Sequence, residues 1–257
     1  MPQDILQIAP ADPGQRIAYG DAPSQFGELR LPEGQGPHPV VMFIHGGFWR
    51  AKYDLTHASH LCVAIARAGY AVWSVEYRRV GQPGGGYPGT LEDIRSAASH
   101  LTRIPGLDLQ RVAVAGHSAG GHLALWLAAQ ETIALKGVAA LAAVSDLRRG
   151  HALKLGSGAI EEFVGGGPIE CDDRYATASP IDLLPFKVPQ VLVHGTADDT
   201  VPFELSKRFA EASKNARLVT LRGAGHFEPI DPRSNWWPTV LENILSPIVS
   251  GPSQTAP

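Results

Sequence analysis

The pentapeptide Gly116-His117-Ser118-Ala119-Gly120 carries the clearest chemical signal in this sequence of 257 residues. An apolar run at residues 112–115 precedes it, and a helical pattern at residues 121–129 follows it. A strand, a tight turn that carries a serine and then a helix are the context of a G-x-S-x-G nucleophile elbow. The outer glycines leave room for a strained turn and for close approach of strand and helix. We therefore predict that Ser118 is a nucleophile.

A serine hydroxyl needs a general base before it can attack a carbonyl carbon. His226, in the Gly-rich segment after the last predicted strand, is the best candidate for that base. A third group must fix the imidazole tautomer and stabilise the imidazolium. Asp198 and Asp199 follow a predicted core strand and satisfy the chain order Ser, Asp, His. The residues alone do not separate these two carboxylates, and Asp146 is a third candidate with a stronger interpretation as a turn or cap residue.

The tetrahedral intermediate of such a reaction needs hydrogen-bond donors for its oxyanion. The amide of Ala119, at the predicted helix start, is one expected donor. The segment His45-Gly46-Gly47-Phe48-Trp49 ends another predicted core strand. Because its two glycines let backbone N–H groups approach a ligand, we expect the second half of an oxyanion hole there.

The elements that must position these residues alternate between apolar β-rich runs and helical patterns. This alternation predicts a mainly parallel sheet of about eight strands with helices on both faces, whose carboxyl ends gather the catalytic groups. Residues 15–32 supply one or two leading strands. In the helix predicted over residues 90–101, Thr90 is the expected N-cap, with Asp93 completing a capping box. The other predicted strands are 39–45, 70–77, 111–115, 138–144, 190–194 and 217–221, and the other predicted helices are 56–68, 203–213 and 237–245.

We expect a single domain over residues 1–248. Residues 148–189 are too long for a simple crossover and predict a small lid-like insert over the site, with one short helix near residues 159–164. Residues 249–257 are polar and Pro-rich, which is typical of a disordered tail.

Composition excludes several classes of function. A net charge of −3 indicates no basic face, so nucleic acid is not an expected partner. No apolar run approaches membrane-spanning length, and the first residues do not resemble a signal peptide. Two cysteines without a disulfide pattern favour free thiols in a reducing compartment, here the cytoplasm. His57 and His60 have no further ligand nearby, so we interpret them as surface residues and expect no metal or cofactor.

The residues resemble the α/β-hydrolase fold over residues 19–248. His45-Gly46-Gly47-Phe48-Trp49, together with the serine pentapeptide, is similar to the motifs of esterases and lipases related to hormone-sensitive lipase. The H-G-G-x-W form is also similar to that of the kynurenine formamidases, or arylformamidases. The segment at residues 194–202 resembles a pattern whose acid is the fourth residue after a histidine, which implies Asp198 rather than Asp199.

The same resemblance implies roles for the glycine-rich segment. Gly47 and Phe48 would donate amides beside Ala119, Gly46 would shape the turn, and Trp49 belongs to the same substrate-binding motif.

The expected function is that of a serine hydrolase that cleaves a small carboxylic ester through an acyl-enzyme. Hydrolysis of an N-formyl aryl amide is the alternative, because it uses the same residues and a formyl group needs almost no acyl pocket. A non-catalytic binding protein of this fold is a second alternative, although such proteins usually lose a triad member. The oligomeric state stays open.

Overall fold

A computed structural model of the chain describes residues 5–249. Eight strands form one sheet in the order β1-β2-β4-β3-β5-β6-β7-β8. The second strand runs antiparallel to both of its neighbours, and all other pairs are parallel. The predicted eight-stranded, mainly parallel architecture is therefore confirmed. The strands are β1 (Gln15–Ala18), β2 (Phe26–Arg30), β3 (His38–Ile44), β4 (Ala71–Val75), β5 (Leu107–His117), β6 (Gly137–Leu141), β7 (Gln190–Gly195) and β8 (Ala216–Leu221).

Helices cover both faces of this sheet, which explains why its central strands are apolar at nearly every position. In β3, Val40, Met42 and Ile44 pack into one core layer, and Val41 and Phe43 pack into the other. Helices α2, α3 and α7 contribute to the first layer, and α1 and α8 contribute to the second. The helices are α1 (Ser59–Arg67), α2 (Gly89–His100), α3 (Ala119–Gln130), α4 (Leu147–Ala152), α5 (Ala159–Val164), α6 (Asp172–Ala178), α7 (Glu204–Ala212) and α8 (Trp237–Val249).

The predicted capping box at the start of α2 is wrong. The helix begins at Gly89, so Thr90 lies inside its first turn, and its hydroxyl donates to the Arg78 carbonyl at 2.5 Å. Asp93 forms an ion pair with the Arg78 guanidinium at 2.6 Å. A charged partner from the loop after β4 thus takes the carboxylate that a capping box would use.

The segment between β6 and β7 contains three α-helices, α4 to α6, where the sequence predicted one. Short helices separated by glycines give little periodicity, which is why two of them escaped prediction. The predicted helix is α5, which lies between Gly158 and Gly165, two glycines with left-handed backbone angles. Of the tail predicted over 249–257, Val249 is the last residue of α8, and residues 250–257 lie outside the described part of the chain. No helix within residues 5–249 combines the length and apolar character that crossing a bilayer requires.

Candidate active site

Ser118 occupies the sharp turn between β5 and α3. Its backbone angles, φ 57° and ψ −119°, lie in a region that residues with a Cβ rarely adopt. The turn also needs its glycines, because a Cβ on Gly116 would lie 2.1 Å from the Gly120 carbonyl oxygen. Such a turn lifts the serine side chain out of the sheet. The Ser118 residue is only 2% exposed, and it lines a cavity of about 290 Å³.

This cavity combines apolar walls with a few polar groups, which is typical of a small-molecule site. Leu6, Phe48, Tyr53 and Phe227 supply most of the apolar wall. None of the lining residues comes from the predicted lid-like insert, so its action as a lid stays a prediction. The remaining lining residues are Gly47, His57, His117, Ser118, Thr200 and His226.

His226, on the loop after β8, forms a hydrogen bond with Asp198, on the loop after β7. Its Nδ1 lies 2.7 Å from Asp198 Oδ2. Because a carboxylate only accepts, we assign a proton to Nδ1, which leaves Nε2 free to accept one. Within residues 5–249, no hydrogen bond joins the Ser118 hydroxyl to His226, a contact that often tightens only when substrate binds.

The Asp198 carboxylate is fully buried and held on both oxygens. Oδ1 accepts the backbone amides of Thr200 and Val201 at 2.9 and 2.8 Å. Burial alone would raise the pKa of Asp198, but the hydrogen bonds from His194 and His226 and the His226 charge outweigh it. The pKa of this carboxyl therefore lies well below its usual range, and the group carries a negative charge beside the imidazole.

The other two candidate acids lie elsewhere. Asp199 is exposed and accepts the Thr200 hydroxyl at 3.1 Å. Asp146 is the N-cap of α4, where it accepts the Arg149 amide at 2.8 Å, and it also pairs with Arg208. The geometry therefore favours Asp198 over Asp199 as the partner of His226, a choice that the residue types alone did not allow.

The glycine-rich segment after β3 lies directly against the elbow. A Cβ on Gly46 would be 2.9 Å from the His117 carbonyl oxygen and 3.1 Å from Ser118 Cβ. Gly47 and Phe48 have positive φ angles of 111° and 52°, and both line the cavity. Ala119 is buried as the first residue of α3, next to Ser118. The three expected amide donors therefore belong to backbone that surrounds the serine.

Trp49 does not occupy the substrate-binding position that the motif implied for it. Its side chain is fully buried in the core, and its indole Nε1 donates to His122 Nδ1 at 3.2 Å. The indole also stacks on Phe163 of α5, with ring centroids 4.6 Å apart. Trp49 thus anchors the glycine-rich segment from behind, on α3 and on the insert.

A buried pair of a histidine and a carboxylate fixes the beginning of the same segment. His45 Nε2 lies 3.1 Å from Glu76 Oε1, and Tyr77 stacks on the His45 ring. Burial opposes the charge of Glu76, but His45 and Arg79 outweigh it and lower the pKa of this carboxyl. No motif in the sequence indicated this pair.

His57 is a cavity-lining residue that the sequence analysis missed. The interpretation of His57 as a surface residue is wrong, because its ring lines the cavity and meets the His45 ring edge-on at 5.7 Å. Burial, and then the charge of His45, lower its pKa to about 4. Nothing in the sequence distinguishes it from His60, whose Nε2 donates to the Ala9 carbonyl outside the cavity. Within residues 5–249, no group of three or more His, Cys, Asp and Glu side chains is arranged to hold a metal ion.

A mainly parallel sheet with a serine elbow after β5, an acid after β7 and a histidine after β8 defines an α/β-hydrolase. The family model called BD-FAE matches residues 28–212, which is well over half of the sequence. The chain therefore belongs to the BD-FAE family.

The proteins similar to this chain include named esterases and a formamidase. An isoprenylcysteine alpha-carbonyl methylesterase of Arabidopsis thaliana is 28% identical, over 90% of this chain and 61% of its own length. A kynurenine formamidase of Aspergillus versicolor is 28% identical, over 68% of this chain and 75% of its own length. The solved esterase of Pyrobaculum calidifontis superimposes with a TM-score of 0.74 at 22% identity, covering 93% of this chain and 86% of that one. The chain spans only about three fifths of the length of the plant methylesterases it matches.

Proposed function

We propose that the protein is a serine hydrolase that cleaves small carboxylic esters through an acyl-enzyme intermediate. The observation that carries this proposal is the 2.7 Å contact between His226 and a buried, ionised Asp198, with His226 lining the same cavity as the strained Ser118. A base with a free Nε2 and a serine at a strand–helix turn are the parts that nucleophilic acyl transfer needs.

In the proposed reaction, Ser118 Oγ attacks the acyl carbon while His226 Nε2 takes the hydroxyl proton. Asp198 holds the Nδ1 proton and stabilises the imidazolium without becoming protonated itself. The amides of Gly47, Phe48 and Ala119 stabilise the negative charge on the former carbonyl oxygen. Collapse of the intermediate breaks the ester bond, and the leaving alkoxide takes the proton from His226. Water then attacks the acyl-enzyme, again with His226 as the base, and releases the acid.

The cavity limits the substrate by size and polarity. A volume of about 290 Å³ is at the small end for ligand pockets, so we propose compact esters rather than long-chain lipids. Its aromatic walls, Phe48, Tyr53 and Phe227, favour an apolar substituent on the ester. The neutral His57 ring beside them provides one polar contact.

Hydrolysis of an N-formyl aryl amide is the second candidate. The similarity to a kynurenine formamidase over 68% of this chain supports it, and it would use the same serine, base and amides. A panel of nitrophenyl esters of graded acyl length, run beside N-formylkynurenine, distinguishes the two. We expect kcat/KM to be highest for acetyl or propionyl esters and to fall for longer chains. A higher kcat/KM for the formamide would favour the second candidate, and no turnover of either by a folded protein would contradict the proposal.

We also propose that the protein works in a reducing compartment such as the cytoplasm, on a small-molecule substrate. Cys62 and Cys171, the two cysteines of the sequence, are both buried and unpaired, which supports a reducing location. Fractionation of the native host with an antibody against the protein would test this, and recovery from an oxidising compartment would contradict it.

A further inference from the structure

Two imidazoles share one oxygen of the candidate catalytic acid. Asp198 Oδ2 lies 2.7 Å from His226 Nδ1 and 3.2 Å from His194 Nε2. His194 ends the apolar run of β7 and is fully buried. The mechanism described so far uses the first imidazole and gives the second no part.

The surroundings of His194 fix how its ring is protonated. Nε2 also lies 2.9 Å from the Val201 carbonyl oxygen, which can only accept, so the proton belongs on Nε2. Nδ1 lies 2.7 Å from the Ser206 hydroxyl of α7, which completes the arrangement by donating to it. His194 therefore directs one N–H at both the Val201 carbonyl and the Asp198 carboxylate.

We propose that His194 is a positioning residue, which fixes the Asp198 carboxylate and weakens its pull on the His226 proton. This inference rests on the proposed function, in which His226 must be neutral before it can accept the Ser118 proton. The His194 N–H draws part of the negative charge of the Asp198 carboxylate toward itself. The carboxylate therefore stabilises the imidazolium of His226 less strongly. His194 thus keeps the base active at a lower pH than Asp198 alone would allow.

Other groups around His226 do not supply this effect. His117, at the end of β5, lies 4.6 Å from the His226 ring, and burial, followed by the His226 charge, lowers its pKa well below the usual range of an imidazole. His57, from the turn before α1, has a pKa of about 4 and is neutral in the working range. Asp199 is exposed, and the Glu228 carboxylate lies beside Gly225 on the loop of the base. None of these four groups contacts the Asp198 oxygen that His226 uses, whereas His194 does.

Three substitutions at this position separate donation from packing. His194→Phe keeps a ring but removes both nitrogens. His194→Asn keeps a polar group near Nδ1 but removes the donor toward Asp198, and it serves if the phenylalanine variant does not fold. His194→Gln places an amide N–H near the position of Nε2 and keeps the donor. Ser206→Ala is the matched control, because it removes a partner of the His194 ring without touching Asp198.

The first measurement is the pH dependence of kcat/KM on one short-chain ester. We expect the acid limb of the profile to move to higher pH by about half a unit or more in His194→Phe and His194→Asn. It should stay near its wild-type position in His194→Gln and in Ser206→Ala. A merely structural role would lower the whole profile without moving it along the pH axis.

The second measurement, an NMR titration of the His226 ring protons in the same variants, needs no substrate. The pH at which His226 titrates should rise in His194→Phe and His194→Asn, as the acid limb of kcat/KM does. This measurement keeps the inference testable even if the proteins hydrolyse none of the esters tried. An unmoved titration in folded His194→Phe or His194→Asn, or an equal shift in His194→Gln, would overturn the role of His194. A shifted titration in a protein without hydrolase activity would instead count against the proposed function alone.

Discussion

At the scale of single residues, adjacent positions have very different surroundings. Asp198 has a fully buried carboxylate with four hydrogen-bond donors, whereas Asp199, one residue later, is exposed. The difference follows from the tight loop after β7, which turns one side chain inward and the next one outward. Mutations at these two positions therefore provide a matched pair.

We expect Asp198→Asn to lower kcat/KM by on the order of a thousand- to ten-thousand-fold, because a neutral amide neither fixes the His226 tautomer nor stabilises the imidazolium. Asp199→Asn should stay within about threefold of wild type, as expected for an exposed group outside the site. Both variants should be assayed on one ester, with circular dichroism to verify folding. A dead Asp199→Asn beside an active Asp198→Asn would show that the wrong carboxylate has been assigned.

The candidate catalytic residues could be selected from the sequence because each follows a recognisable strand and turn. Ser118 is marked by its glycines and His226 by its place after the last strand, and the choice of Asp198 needed a family pattern. His57, His194 and Glu76 could not be predicted as parts of the site. Their roles depend on which side chains from distant segments meet, and local periodicity does not encode that information.

At the scale of elements, the glycine-rich segment after β3 depends on supports from several parts of the chain. Glu76 holds His45, and α3 and α5 hold Trp49. Arg50 adds an ion pair with Glu162 of α5 at 2.7 Å, an exposed contact expected to contribute little stability. The strands of the sheet followed from sequence alone, but these supports did not, because the helices of the insert are too short to show a clear period.

Gly47→Ala tests the importance of this segment's backbone. The added Cβ would lie 2.4 Å from Tyr53 Cβ, at a φ of 111°, so the segment must shift. We expect kcat/KM to fall about a hundredfold, the usual effect of displacing one oxyanion donor, with a smaller effect on KM. Gly34→Ala is the control, because Gly34 has a similar φ of 100° but open space around its Cβ position.

The Gly34→Ala control should lose on the order of 1 kcal/mol of unfolding free energy and keep its activity. Steady-state kinetics and urea denaturation of both variants give the comparison. Equal losses of activity in Gly34→Ala and Gly47→Ala would contradict the placement of the oxyanion hole in this segment.

At the scale of the whole molecule, several histidines are buried in their neutral form. Burial lowers the pKa of His122 from 6.5 to about 4, and Trp49 donates to its Nδ1 while its Nε2 donates to Ala178. Protonation would place a second donor against the indole N–H. Because the folded-state pKa is depressed, the stability linked to this group is fully present above pH 6.5 and is lost as the pH falls toward 4.

We expect the protein to lose stability between pH 6.5 and 4, with up to about 3 kcal/mol of the loss due to His122. A glutamine can accept from Trp49 and donate to Ala178 without titrating, so His122→Gln should flatten this pH dependence. His60→Gln, which changes a partly exposed ring, should leave it unchanged. Urea midpoints at pH 7.5 and 5 measure the effect, and an identical drop in His122→Gln and wild type would refute the role of His122.

The central claim is that Ser118 forms a covalent acyl-enzyme, and reaction with a fluorophosphonate probe tests it most directly. Ser118 Oγ would attack phosphorus and expel fluoride, just as it attacks an ester carbon. Intact-mass and peptide mass spectrometry should show one adduct per chain, on the peptide that contains Ser118. Turnover should fall in proportion to the fraction of protein that is labelled. Ser118→Ala should take up no label and retain its fold. A label on another residue, or unlabelled wild-type protein that still hydrolyses esters, would contradict the account.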